Sequence, residues 1–146
     1  MKKNIIIALI ATILVSCSLE TDNYPGALEG MWHLRSIRHT SSTGQITTTD
    51  FSHDRIYWLF QGKLLQLEDK SGTHTSILYR FKQIDGKLEL TEPYIYDRQN
   101  GDRPLTDESY LRLFGIQSFT PTYTVSFNRK NLELSTDSVR LTFIKF

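Results

Sequence analysis

A strict two-residue alternation near the end of the chain most limits what it can fold into. Tyr123, Val125 and Phe127 alternate with Thr122, Thr124 and Ser126, and Leu132 and Leu134 with Asn131, Glu133 and Ser135. Val139, Leu141 and Phe143 then alternate with Ser138, Arg140 and Thr142. A period of two sends one set of side chains to a core and the other toward water, the pattern of a half-buried strand. Similar runs occupy 31–39, 55–61, 63–69, 75–83, 87–91 and 94–97, with a weaker one at 45–49. Turn-forming residues separate them at Gln61-Gly62, Ser71-Gly72, Asp85-Gly86, Asn128 to Asn131 and Thr136-Asp137. Asp85-Gly86 between two alternating runs signals a hairpin, because both residues tolerate a positive φ. Short strands at this spacing predict a sandwich or a closed meander.

One stretch departs from the alternation. Thr106-Asp107-Glu108 opens a segment containing Tyr110, Leu111, Leu113 and Phe114 and ending at Gly115. Thr106 as the cap, acids in the first turn and Gly115 as a left-handed stop predict a short helix over 107–114. Its apolar side is expected to pack on the sheet and close one end. Trp58 lies in Ile56-Tyr57-Trp58-Leu59-Phe60, apolar on both faces, which predicts a strand covered on both sides, with the helix as one cover.

Length and charge set the remaining bounds. A chain of 146 residues without an internal repeat is one domain. Seventeen Lys and Arg against 16 Asp and Glu exclude a strongly basic nucleic-acid surface and an acidic disordered tail. Hydrophobic residues are 39% and aromatic residues 12% of the chain, enough for a core. The single cysteine excludes an intrachain disulfide and a Cys-built zinc site.

That cysteine sits in a distinctive place. Lys2 and Lys3 precede an apolar run, Ile5 to Val15, broken only by Thr12. Eleven residues match the core of a secretory signal, whereas a membrane-spanning helix needs about 20. Leu14-Val15-Ser16-Cys17 then resembles the bacterial lipobox. The resemblance implies diacylglycerol on the Cys17 thiol, cleavage between Ser16 and Cys17, and acylation of the new amino terminus. Residues 1–16 are therefore read as a signal peptide, 17–27 as a lipidated cysteine and flexible tether, and 28–146 as the folded domain. The expected location is the bacterial outer membrane, on either face. Each buried CH₂ contributes about 0.8 kcal/mol, so several acyl chains hold almost permanently. Loss of Lys2 and Lys3 would leave 15 basic against 16 acidic residues in the mature chain.

Leu28-Glu29-Gly30-Met31-Trp32 opens the first strand, and its Gly-x-Trp resembles the start of lipocalins and other calycin barrels. The resemblance implies that Gly30 permits a tight entry, that Trp32 plugs the barrel floor, and that Arg140 in the last strand lies across Trp32 as a cation–π partner. A mid-chain Thr-Asp-Tyr motif is lacking, and the helix precedes the last three strands instead of following the barrel. The whole pattern is more similar to the small lipocalin-like lipoproteins of Bacteroidetes, a group largely of unknown function. The shared features are the lipobox, Gly30-x-Trp32, the Gly86-Lys87-Leu88-Glu89-Leu90 hairpin, and Leu113-Phe114-Gly115-Ile116 before paired terminal strands. The expected fold is an all-β, lipocalin-like antiparallel meander barrel of about eight strands with one short helix before the last three.

The chemical content is thin. Trp32, Trp58, Phe60, Tyr79, Phe81, Tyr123, Phe127 and Phe143 lie in strand runs and either line a cup or fill a small barrel. Tyr94 and Tyr96 share one strand face, as a rim for stacking or as an ordinary cross-strand pair. His33, His39, His53 and His74 lack metal-pair spacing, and the Asp97, Asn100, Asp102 loop lacks the acidic density of a calcium loop. Nucleophile-elbow, phosphate-loop and dinucleotide motifs are missing, so the chain reads as non-catalytic, with no cofactor and no metal. Asp137-Ser138-Val139 resembles a short O-glycosylation motif and equally makes a hairpin turn. Two functional readings stand. The first is binding of a small apolar molecule through Trp58, Phe60, Tyr79, Phe81, Tyr94 and Tyr96. The second is a filled barrel acting as a glycan- or protein-interaction module of an envelope assembly.

Overall fold

The computed structural model describes residues 26–146. The signal peptide, Cys17 and the tether up to residue 25 lie outside the described residues. Ten strands follow a turn at 26–28: β1 (Gly30–Thr40), β2 (Ile46–Asp50), β3 (Ile56–Gln61), β4 (Leu64–Asp69), β5 (Ile77–Ile84), β6 (Lys87–Ile95), β7 (Arg103–Pro104), β8 (Thr122–Asn128), β9 (Asn131–Ser135) and β10 (Val139–Lys145). Antiparallel neighbours run β10-β9-β8-β6-β5-β4-β3-β1, and β10 pairs back onto β1. The result is a closed eight-stranded barrel, which leaves no long unpaired edge. β1 is long enough to serve two partners on one edge: Gly30 to His33 pair with β3, and Ser36 to Thr40 with β2. β2 is exposed throughout and projects from the barrel, while β7 is a two-residue addition to β6.

Alternation places the core inside. Trp32 and Leu34 on β1, Trp58 and Phe60 on β3, Leu65 and Leu67 on β4, and Tyr79 and Phe81 on β5 are all buried, as are Leu141 and Phe143 on β10. They form one cluster with the other buried apolar residues. Asp85 (φ 50) and Gly86 (φ 72) make the β5–β6 turn with the positive φ values that a twisted two-residue hairpin requires.

Three expectations change. The runs at 87–91 and 94–97 are one strand, because a bulge absorbs the break. Glu92 takes φ 54, and the register passes from Leu78↔Tyr94 to Arg80↔Thr91, one extra residue on β6. The helix is a 3₁₀ helix over Glu108–Phe114, capped by Asp107 instead of Thr106; the Ser109 amide donates to Asp107 Oδ1 at 2.8 Å. Both residues are capping types and adjacent, so composition alone cannot set the register. Finally, the helix does not cover the outside of β3. Tyr57 there stacks on His33 (4.9 Å between centroids) and meets the edge of Phe146 (5.5 Å).

The barrel has two distinct ends. At the entry end lie the start of the described residues, the 61–64, 84–87 and 128–131 hairpins and the end of β10. Backbone and side-chain bonds lace them together: Gly62 N to Glu29 Oε2 (3.3 Å), Phe81 N to Lys63 O (3.1 Å), Val125 N to Gly86 O (2.9 Å), and Lys145 N to Lys130 O (2.8 Å). The 3₁₀ helix sits at the other, helix end. Leu105, Leu111, Phe114 and Ile116 join the core there, and Gly115 (φ 82) packs so tightly that a Cβ would lie 2.5 Å from Leu141 Cδ2.

Candidate functional site

The entry end is plugged by Trp32. Its Nε1 donates to Leu28 O at 2.7 Å, turning the preceding chain across the floor. Gly30 reaches φ 115, and a Cβ there would meet Lys145 Cε at 3.3 Å, so the Gly-x-Trp pattern has a local cause. The cation over Trp32 is Lys145, not Arg140. Lys145 Nζ stands 5.1 Å from the ring centroid and donates to Glu29 O at 2.9 Å. Arg140 is exposed and pairs with Glu133 at 3.3 Å on the outer face. Parity explains the correction: Val139, Leu141 and Phe143 point inward, so position 145 shares their face and 140 does not.

Four of the six expected contact residues converge in the barrel interior. Trp58 meets Phe143 (5.1 Å), Tyr123 (6.2 Å) and Phe60 (6.3 Å), and Phe60 meets Phe81 edge-on (5.1 Å). Tyr79 is buried beside them on β5. Tyr94 and Tyr96 do not join this group. The Glu92 bulge leaves Ile95 facing inward, with Tyr94 exposed opposite Leu78 and Pro104. The Tyr96 hydroxyl accepts from Arg98 Nε, and the Arg98 guanidinium lies 5.5 Å from the Tyr96 ring.

The interior holds two polar atoms without a partner among the described residues: Trp58 Nε1 and the Tyr79 hydroxyl. Burial pushes the Tyr79 phenol above its ordinary range, reinforced by Tyr123 and by Glu108 of the 3₁₀ helix. Burial raises Tyr123 in the same direction. Both phenols therefore stay neutral at physiological pH, and the unpartnered Trp58 indole and Tyr79 phenol remain hydrogen-bond donors in an apolar enclosure.

Segment 115–117 closes the helix end between two open grooves. One, about 350 Å³, is lined by His39, Glu108, Arg112 and Gln117 among others, and Gln117 is hydrogen-bonded to His39 at 2.9 Å. The second, about 380 Å³, runs along Thr120, Tyr123, Thr136 and Val139. Tyr123 thus belongs to both the groove wall and the ring cluster around Trp58. The plug residues Leu105, Leu111 and Ile116 lie outside regular strands, where alternation gives no signal.

The remaining polar candidates have local roles. Asp97 Oδ1 accepts the Gln99 and Asn100 amides, and Asp102 Oδ1 accepts the Asp97 amide, so these carboxylates order their own loop. These backbone and side-chain bonds hold the Asp97 carboxyl below the usual carboxylate range. His74 bonds Asp69 at 2.7 Å, the one buried charged residue among the described residues. No group of three His, Cys, Asp or Glu suited to a metal occurs among the described residues.

A closed eight-stranded meander with a Gly-x-Trp floor is matched by the family model described as a lipocalin-like domain, over residues 12–146. The chain belongs to this lipocalin-like family. Its fold is also that of a lipocalin-like protein from Bacteroides uniformis: TM-score 0.58, 19% identity, 83% of this chain and 100% of that one covered. An uncharacterized protein from Bacteroides eggerthii is similar too, with TM-score 0.54, 20% identity, and 82% and 99% of the two chains covered. No curated protein matches significantly. Lipocalin-like barrels are in general a binding fold, which sets the class of role open to this lipocalin-like protein.

Proposed function

We propose that this lipocalin-like protein is a lipid-anchored, non-catalytic envelope protein whose barrel takes a small, largely apolar molecule. The observation that carries the reading is the pair of buried donors, Trp58 Nε1 and Tyr79 OH, set without partners in an apolar interior. Native proteins pair nearly all such groups with protein, water or ligand. A ligand with an apolar body and one or two acceptor atoms would satisfy them. Removing its surface from water contributes about 25 cal/mol per Å², and the two donors fix its orientation. Trp58 already meets Phe143 and Phe60, and Phe60 meets Phe81, so entry requires the Leu111 and Phe114 plug to withdraw, with the groove beside Tyr123 as the path. Tyr94 and Tyr96 are better placed for a rim contact than for the interior.

The anchoring half of the reading rests on the positive start, the apolar run and Leu14-Val15-Ser16-Cys17. It places the protein at an outer membrane through Cys17. Metabolic labelling with palmitate is expected in the native chain and absent in Cys17→Ala; labelling that persists refutes the anchor. For the ligand, native mass spectrometry of residues 18–146 incubated with a total extract of the source bacterium is the direct test. A defined adduct that disappears in Trp58→Ala or Tyr79→Ala is the expected result. A folded protein without an adduct favours the second reading, an interaction module for a glycan or envelope protein with a filled barrel. The ring contacts inside and the outward His33, Tyr57 and Phe146 cluster support that alternative.

A further inference from the structure

We propose that the entry end of the barrel is a docking face for an anionic phospholipid bilayer, on which the domain stands with its helix end outward. This rests in part on the anchoring reading, which supplies the membrane's distance, whereas the distribution of charge and apolar surface stands by itself.

Five basic residues ring the entry end: Lys63, Lys87, Arg129, Lys130 and Lys145, against the acids Glu29 and Asp85. Among the described residues, none of the five joins a salt bridge. The ion pairs lie elsewhere, at Lys70–Glu68, His74–Asp69, Arg80–Glu92, Arg103–Asp97 and Arg140–Glu133. Lys145 is held over Trp32 and Glu29 O, and Lys87 donates to Thr124, but no carboxylate neutralises either; together with Lys63, Arg129 and Lys130 they leave this end with a positive field toward solvent. Large apolar side chains are exposed among them: Leu64 (46%), Ile84 (53%) and Phe146 (80%). Basic groups interspersed with exposed apolar side chains suit a bilayer interface, where the apolar groups enter the headgroup boundary and the cations meet lipid phosphates.

The chain enters at this same end. From Cys17 to Gly26 the contour is at most about 30 Å, so an acylated Cys17 holds this end near the bilayer. In the loops of the helix end Asp54, Asp69, Asp97, Asp102, Asp107, Glu108 and Asp137 stand against Arg55, Lys70, Arg98, Arg103 and Arg112, a small excess of acid that gives an anionic surface nothing to attract. With 15 basic and 16 acidic residues in the mature chain, net charge gives no attraction; only its polarity along the barrel axis does.

The test uses unacylated residues 17–146 carrying Cys17→Ser, whose barrel closes with core residues from Leu28 to Phe143 only. Vesicles of equal phosphatidylglycerol and phosphatidylcholine are compared with pure phosphatidylcholine by co-sedimentation at low salt. The expected result is binding to the anionic vesicles alone, released at high salt. The Lys63→Gln/Lys130→Gln pair should lower the partition coefficient about 30-fold, at about 1 kcal/mol per basic residue near an anionic surface. Arg55→Gln/Arg112→Gln at the helix end should leave it unchanged, with circular dichroism confirming the fold of both. Absence of binding to anionic vesicles, an unchanged coefficient in the Lys63/Lys130 pair, or equal losses in both pairs overturns the proposal. The protein tested carries no acyl group, so a failure here is separate from a failure of Cys17 labelling.

Discussion

Tyr79→Phe deletes one oxygen from the barrel interior and leaves the ring in place. That oxygen has no hydrogen-bond partner among the described residues, and its residue is buried. Leaving a buried donor unsatisfied costs about 1–3 kcal/mol, so the variant should be more stable by about that amount. At a urea dependence of about 2 kcal/mol per M for a small domain, the unfolding midpoint should rise by about 1 M. Ligand binding should move the opposite way: loss of one hydrogen bond, about 1 kcal/mol, weakens affinity about fivefold. Equilibrium urea unfolding followed by tryptophan fluorescence measures the first, and titration with the ligand recovered by mass spectrometry the second. An unfolding midpoint that stays put or falls would refute the reasoning, because the hydroxyl would then already be paired in the barrel interior. Stability held below its reachable value at one atom is the signature expected of a site kept for binding.

Three further outcomes follow from the same geometry. Lys145→Ala should cost about 1–2 kcal/mol in urea unfolding, since it removes a charged donor from Glu29 O and a cation from the Trp32 face; Arg140→Ala, an exposed pair, should cost about 0–1 kcal/mol. Gly115→Ala should cost about 2–5 kcal/mol, from the left-handed backbone and the clash with Leu141 and Ile37, and thermal unfolding should fall by about 10 °C. Burial pushes the Asp69 carboxyl up, but hydrogen bonds from Ser71 and His74 outweigh it and hold the group below its ordinary 3.8. Its stabilisation is therefore complete above that value and lost as pH falls through the lower folded one, so acid titration of stability should be flatter in Asp69→Asn.

Much of the barrel was legible because a strand's inward set follows from counting by twos. Nearly every run found in this way is a strand, including the weak 45–49 segment, which appears as β2 at 46–50. The errors fall where counting stops being local. Glu92-Pro93 reads as a break between two runs, yet one residue at positive φ keeps β6 continuous and turns Tyr94 outward. The resemblance puts Arg140 across Trp32, against its own parity; continuing the alternation from Val139 reaches Lys145.

The sequence by itself determined the alternating strands of the barrel, the hairpin turns, the Gly30-x-Trp32 entry and the helix stop at Gly115, because backbone sterics and side-chain period act within a few residues. Tertiary structure alone decided which rings meet, which polar atoms lose their partners, and which end of the barrel gathers the cations. Lys63, Lys87, Arg129 and Lys145 are scattered over 82 positions of chain, and only closure of β10 onto β1 brings their hairpins to one rim. Charge and burial are properties of that closed surface, since fields and solvent act through space and take no account of the order of residues along the chain.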